Sequence, residues 1–144
     1  MEHTIIEENG FKYVEAGEGE VLMLLHGLFG ALSNFFDIIE EFKDTHKVVI
    51  PILPLYELPI NDTTVPGFVE YVQRFVEYKK YEKVTVLGNS LGGHIALLYA
   101  LRHPDMIRAV ILTGSSGLFE SAMGDSYPKR GDYDYIKQKT ELTF

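Results

Sequence analysis

Along this chain, short apolar runs rich in β-branched residues alternate with stretches in which apolar positions return every three or four residues. The runs at 20–25, 46–50, 83–87 and 107–113 read as buried strands. Residues 3–8 and 11–16 read as two further strands, joined by a turn at Asn9-Gly10. Between them lie three helical patterns. The first is capped by Ser33 or Asn34 and runs to about Lys43, with Phe35, Ile38, Ile39 and Phe42 on one face and Asp37, Glu40 and Glu41 around the other. The second runs from about Val65 to Tyr81, and its stripe of Phe68, Tyr71, Val72, Phe75 and Val76 is assigned to core packing. The third leads from His94 to His103 and is stopped by Pro104. Strands alternating with helices after an opening hairpin predict an α/β fold with a sheet that is largely parallel after its start. From Leu118 the character changes to a loop, followed by weak helical periodicity through Tyr133, Ile136 and Thr140.

Composition narrows the range of functions. A chain of 144 residues is one domain's worth, and a hydrophobic fraction of 46% with nine Phe and nine Tyr fits a globular protein with a modest core. The net charge of -8 argues against nucleic acid and against anionic membrane surfaces as partners. The absence of cysteine removes disulfides, a thiolate nucleophile and Cys-ligated metals. The first eight residues lack the basic start and apolar core of a signal peptide, and the longest apolar runs fall far short of a membrane span. A soluble, cytoplasmic protein is expected.

The candidate chemistry centres on Gly88-Asn89-Ser90-Leu91-Gly92, where a strand pattern turns directly into a helix pattern. That context is the one a nucleophile elbow requires. A sharp turn forces the serine into a strained conformation and lifts its hydroxyl clear of the sheet. Gly88 and Gly92 stand where a Cβ would collide with the neighbouring strand or helix. The helix start directs free N–H groups and a positive dipole end at the site, which makes the Leu91 amide an oxyanion donor. The competing reading is a serine that merely caps a helix.

A second motif, His26-Gly27-Leu28-Phe29-Gly30, follows the strand at 20–25. With HG-x-x-G after one strand and G-x-S-x-G after a later one, the chain resembles the α/β-hydrolase family, in that family's order. The resemblance implies a mostly parallel α/β-hydrolase sheet with flanking helices, carried by residues 1–117, with 118–144 opening the family's cap. It implies a serine hydrolase in which Ser90 attacks a carbonyl and the amides of Leu28 and Leu91 hold the oxyanion. His26 is then a loop-bracing residue, not the base. The implied substrate is a small ester, thioester or lactone, with C–C bond hydrolysis of a diketone as a sister reaction. Neither ligand spacing nor a phosphate-cradling loop calls for a metal or an organic cofactor. The proline-spaced loop at 51–59 departs from many relatives, which carry an Asp and glycines where this chain has Ile52, Leu55 and Glu57.

The family's triad continues after the serine with an acid and then a histidine, on loops after further strands. After Ser90 the histidines are His94 and His103, on the elbow's own helix and at its end, and neither matches the base. Asp125, Asp132 and Asp134 fall in the cap segment and do not match the acid. The resemblance therefore implies a hydrolase truncated before its last strands and most of its cap. Strand 107–113 would then be a bare apolar edge, and self-association through it is expected. A non-catalytic ligand- or partner-binding relative is the rival reading, and a fragment that works by pairing with a complementary chain is a third.

Overall fold

A computed structural model describes residues 3–27, 32–55 and 64–114. The expected cap segment, 118–144, lies outside the described residues, as does most of the HG-x-x-G loop after Gly27.

Six strands form one mixed sheet, in chain order β1 (Ile6–Glu8), β2 (Phe11–Ala16), β3 (Glu20–Leu25), β4 (His46–Pro51), β5 (Val84–Asn89) and β6 (Ile107–Thr113). Their spatial order is β1-β2-β4-β3-β5-β6. The first two strands pair antiparallel through the expected turn, where Asn9 and Gly10 both take positive φ (51° and 82°). β2 adds antiparallel to β4, and from β4 through β3 and β5 to β6 every pairing is parallel. The hairpin thus caps one edge of a parallel sheet that ends, among the described residues, at β6.

Among the described residues three α-helices cover the sheet: α1 (Ser33–Phe42), α2 (Val65–Lys79) and α3 (Leu91–Arg102). Capping at α1 departs from the expected side-chain cap at Ser33 or Asn34. The cap position is Leu32, in helical backbone geometry and without a side-chain bond, so Ser33 already belongs to the first turn. The α2 start behaves as such a cap should: Thr64 is extended and its hydroxyl accepts the Gly67 N–H at 3.0 Å. α2 stops at Lys79 because Lys80 turns left-handed (φ 60°), which leaves Tyr81 in the following loop.

The core has two parts, one on each face of the sheet. On one face the α2 stripe packs with Phe11, Met23, Val86, Ile95 and Tyr99, which joins α2 and α3 to the sheet centre. On the other face α1 sets Phe35 and Ile39 against Leu22, Leu24, Val48 and Ile50. A polar cluster ties the hairpin to the end of α2. Lys79 Nζ lies 3.2 Å from Glu15 and donates to the Tyr13 hydroxyl at 3.0 Å, and the Tyr81 hydroxyl donates to Glu15 at 2.6 Å. No described helix is long and apolar enough to cross a membrane.

Candidate active site

The elbow and the described start of the second motif, His26-Gly27, meet at the C-terminal ends of the adjacent parallel strands β5 and β3. Ser90 sits between β5 and α3 with φ 56° and ψ -121°, a combination L-residues rarely adopt. What holds it there is close approach of backbone on both sides. A Cβ on Gly92 would lie 2.0 Å from the Leu25 carbonyl oxygen at the end of β3, so α3 could not approach the sheet. A Cβ on Gly88 would lie 2.4 Å from the Gly92 carbonyl oxygen, so the strand could not fold back beneath its own helix. Only glycine fits either position.

Hydrogen bonds complete the turn. The Ser90 N–H donates to the Gly114 carbonyl at 3.1 Å, and the Ser90 carbonyl accepts from Gly93 and His94 at 3.0 and 3.3 Å. The N–H of Ser90 is therefore committed to the scaffold. The Leu91 amide, in the first turn of α3, has no carbonyl one turn back within the helix to bond, and it stands at the helix's positive end. The second expected oxyanion donor, Leu28, lies outside the described residues. Its neighbour Gly27 lies close beside the serine: a Cβ there would stand 3.0 Å from Ser90 Cβ and 3.4 Å from its Oγ.

His26 is buried just behind this contact. Its Nδ1 lies 2.9 Å from the Gly27 carbonyl, which can only accept, so Nδ1 carries the proton. Its Nε2 then accepts the Leu53 N–H at 3.0 Å. Both ring nitrogens are in use, and burial pushes the imidazole's pKa down, outweighing the Gly27 bond that raises it. A neutral ring pinned at both ends has no lone pair for a serine proton. It fixes the loop after β3 to the loop after β4.

Of the histidines after the serine, His94 lies one turn along α3, half-buried. His103 closes that helix with its ring 5.2 Å from the Tyr99 ring and its Nε2 buried without a partner. Among the described residues no imidazole or carboxylate is hydrogen-bonded to Ser90 Oγ, and no group of three His, Asp or Glu is arranged to hold a metal ion.

Three contributors carry no motif signal. Leu53 acts through its backbone N–H alone, so no side-chain pattern announces it. Gly114, left-handed at φ 66°, supplies the carbonyl that holds Ser90. Thr113 donates to the Asn89 side-chain oxygen at 3.2 Å and approaches the Gly88 carbonyl at 3.4 Å. The end of β6 thus braces the elbow from the side.

A family model described as alpha/beta hydrolase fold matches residues 20–142. The soluble epoxide hydrolase of Corynebacterium sp. (strain C12) is 31% identical over 128 residues, covering 83% of this chain and 43% of that protein. The 2-hydroxy-6-oxo-6-phenylhexa-2,4-dienoate hydrolase of Comamonas testosteroni is 33% identical over 116 residues, covering 74% of this chain and 40% of that protein. Among solved structures, an alpha/beta hydrolase enzyme from the metagenome of lagoon sediments at Mar Chica, Morocco, superposes with a TM-score of 0.78 at 43% identity, over 98% of this chain and 64% of that one. The chain spans less than half the length of these two curated relatives.

Proposed function

The chain belongs to the α/β-hydrolase fold family, and from that premise we propose that it carries the nucleophile half of a serine hydrolase acting by acyl transfer. Ser90 Oγ attacks the substrate carbonyl carbon, and the carbonyl oxygen becomes an oxyanion held by the amides of Leu91 and Leu28. The base that takes the serine proton, and the acid that orients that base, come from sequence outside these 144 residues. The tetrahedral intermediate collapses, breaking the substrate's acyl C–O or C–S bond, and the alcohol or thiol leaves with the proton taken from the serine. Water then attacks the acyl-serine ester and releases the acid product, restoring the serine hydroxyl.

The observation that carries this reading is the backbone of Ser90. A serine that merely capped a helix would take an extended conformation and bond an N–H of the first turn through its side chain, as Thr64 does at α2. Ser90 does neither: it is strained, its side chain makes no cap bond, and glycines on both sides let that strain persist. Strain of this kind offsets folding stability and is retained where it exposes a reacting atom.

The substrate class is a small ester, thioester or lactone. C–C bond hydrolysis is a second reading, favoured by the 33% identity to the Comamonas testosteroni hydrolase, whose name describes a dienoate substrate. Both begin at the same serine and oxyanion site.

The test is acylation by p-nitrophenyl acetate, followed by intact mass. A single acetyl group on the chain, absent from Ser90→Ala, is expected. Without an activating base the serine is an ordinary alcohol, so its acylation is slow and rises with hydroxide concentration. Equal acetylation of the Ser90→Ala variant would end the proposal.

A further inference from the structure

We propose that Asn89 and Thr113 are positioning residues for Ser90, a role that rests on Ser90 being the nucleophile. Together they clamp the peptide that joins Asn89 to Ser90 and so hold the serine at its positive φ.

The φ of a residue follows the orientation of the peptide before it. For Ser90 that peptide presents its N–H to the Gly114 carbonyl at 3.1 Å. Its carbonyl oxygen, on Asn89, lies beside Gly27, 3.4 Å from where a Cβ on that glycine would stand. A serine has no conformational freedom of the glycine kind, so φ 56° persists only while the surroundings fix this peptide.

The bond to the Ser90 N–H depends on where Gly114 stands, and Gly114 follows β6 in left-handed geometry (φ 66°). Asn89 and Thr113 govern that placement. They are directly opposed in the last rung of the register between β5 and β6, so their side chains rise from the same face of the sheet. The Thr113 hydroxyl donates to Asn89 Oδ1 at 3.2 Å, with the Gly88 carbonyl 3.4 Å away. Asn89 Oδ1 also lies against Gly114, 3.6 Å from where a Cβ on that residue would stand.

These contacts close a circuit. It runs from the Asn89 side chain to the Thr113 hydroxyl, along the chain to Gly114, from the Gly114 carbonyl to the Ser90 N–H, and back to Asn89 through the peptide bond. Each link restrains the next, as in a connected hydrogen-bond network. The residue types fit the task. Asparagine brings a short acceptor to the one motif position that neither close packing nor the nucleophile dictates, and threonine brings a single hydroxyl donor. Residues 109–112 of β6 are all apolar, so the strand's hydroxyl falls where the elbow can use it. Thr113 is exposed, and water competes for its hydroxyl, so the loss of this bond has a modest effect.

Two readouts on the 144-residue chain test the clamp: Ser90 acetylation by p-nitrophenyl acetate, followed by intact mass, and exchange of the Ser90 amide proton, followed by NMR. Thr113→Val keeps the β-branched shape and removes the hydroxyl. Its acetylation is expected to slow by about 3- to 10-fold, the range for one lost hydrogen bond. Its Ser90 amide should exchange faster by a similar factor, while the amides of β3 keep their protection. The thermal midpoint should hold, because strain released at Ser90 offsets the lost bond. Thr113→Ser is expected to restore both readouts. Asn89→Ala breaks the same circuit, so the double variant Asn89→Ala, Thr113→Val should be no slower than the slower single variant. Losses that multiply, a Thr113→Ser variant as slow as Thr113→Val, or a lowered thermal midpoint with acetylation intact would overturn the clamp. So would a Ser90 amide that exchanges equally in the parent chain and in Thr113→Val. If the amide responds as expected but even the parent is never acetylated at Ser90, the clamp stands and the nucleophile reading falls.

Discussion

β3 and β6 flank the same strand, β5, and both pair with it in parallel. They are also made of the same kind of residue: Glu-Val-Leu-Met-Leu-Leu in one and Ile-Arg-Ala-Val-Ile-Leu-Thr in the other. Their surroundings differ completely. In β3, Met23, Leu24 and Leu25 are fully buried, with α1 on one face and α2 and α3 on the other. In β6 no side chain is fully buried, and Ala109, Ile111 and Thr113 are exposed on the α1 face. An apolar run states what environment a strand suits, but it does not say whether the described residues provide it.

The candidate site rests on both. On its β3 side Gly27 leaves no room for a side chain beside the serine, and His26 is bonded to the loop after β4. Its β6 side holds the serine's own N–H through Gly114, at the end of a strand that pairs on one side among the described residues.

Substitutions at matched positions sharpen this contrast. Leu24→Ala should cost about 2–5 kcal/mol, because it empties a fully buried site between α1 and the sheet. Ile111→Ala, with nearly half its surface already in water, should cost less than about 1 kcal/mol. Urea unfolding of the two variants side by side measures the gap. Equal losses would mean that β6 is as well covered as β3.

Gly92→Ala comes next. Its methyl group would press on the Leu25 carbonyl, and separating α3 from β3 should cost about 1–3 kcal/mol or more. The loss should show in thermal unfolding together with loss of Ser90 acylation, since the same contact shapes the elbow. Ser90→Gly moves the other way. Glycine relieves the positive φ, so this variant should be more stable by about 1–3 kcal/mol while it accepts no acyl group.

The smallest effect is pH-dependent and belongs to the β3 side. His26 has its pKa lowered by burial, so the unfolded chain binds a proton more readily than the folded one. The stability held by neutral His26 is present above its ordinary pKa of 6.5 and is lost as pH falls below that value. The expected slope is at most about 1.4 kcal/mol per pH unit. Denaturant midpoints from pH 7.5 to 5 should fall less steeply in His26→Asn than in the parent chain. An unchanged slope would free His26 from the role its two hydrogen bonds assign it.

Much of the architecture was legible in the chain because local chemistry agrees with the global result. Asn9-Gly10 is a hairpin turn by its own conformational preference, the α2 stripe has a single apolar face, and the elbow's glycines mark where backbones approach. What stayed hidden depends on contacts distant in sequence or on the backbone alone. Leu53 serves the site through an N–H that any residue but proline supplies, and Gly114 through a carbonyl. The left-handed stop at Lys80 and the uncapped start at Leu32 carry no residue-type signal either. The bulge at Arg108, where the register slips between Val84↔Ile107 and Thr85↔Ala109, appears only once β6 lies beside β5.

The most direct test of the central claim is fluorophosphonate labelling of the 144-residue chain beside Ser90→Ala, read by intact mass across a pH series. One slow, Ser90-dependent adduct is expected, with a rate that climbs steadily with hydroxide and shows no inflection near neutrality, where a histidine base would titrate. Rapid labelling at neutral pH with such an inflection would mean that the chain contains its own base. Labelling that survives Ser90→Ala, or no adduct at any pH in the folded chain, would contradict the assignment of Ser90 as the nucleophile.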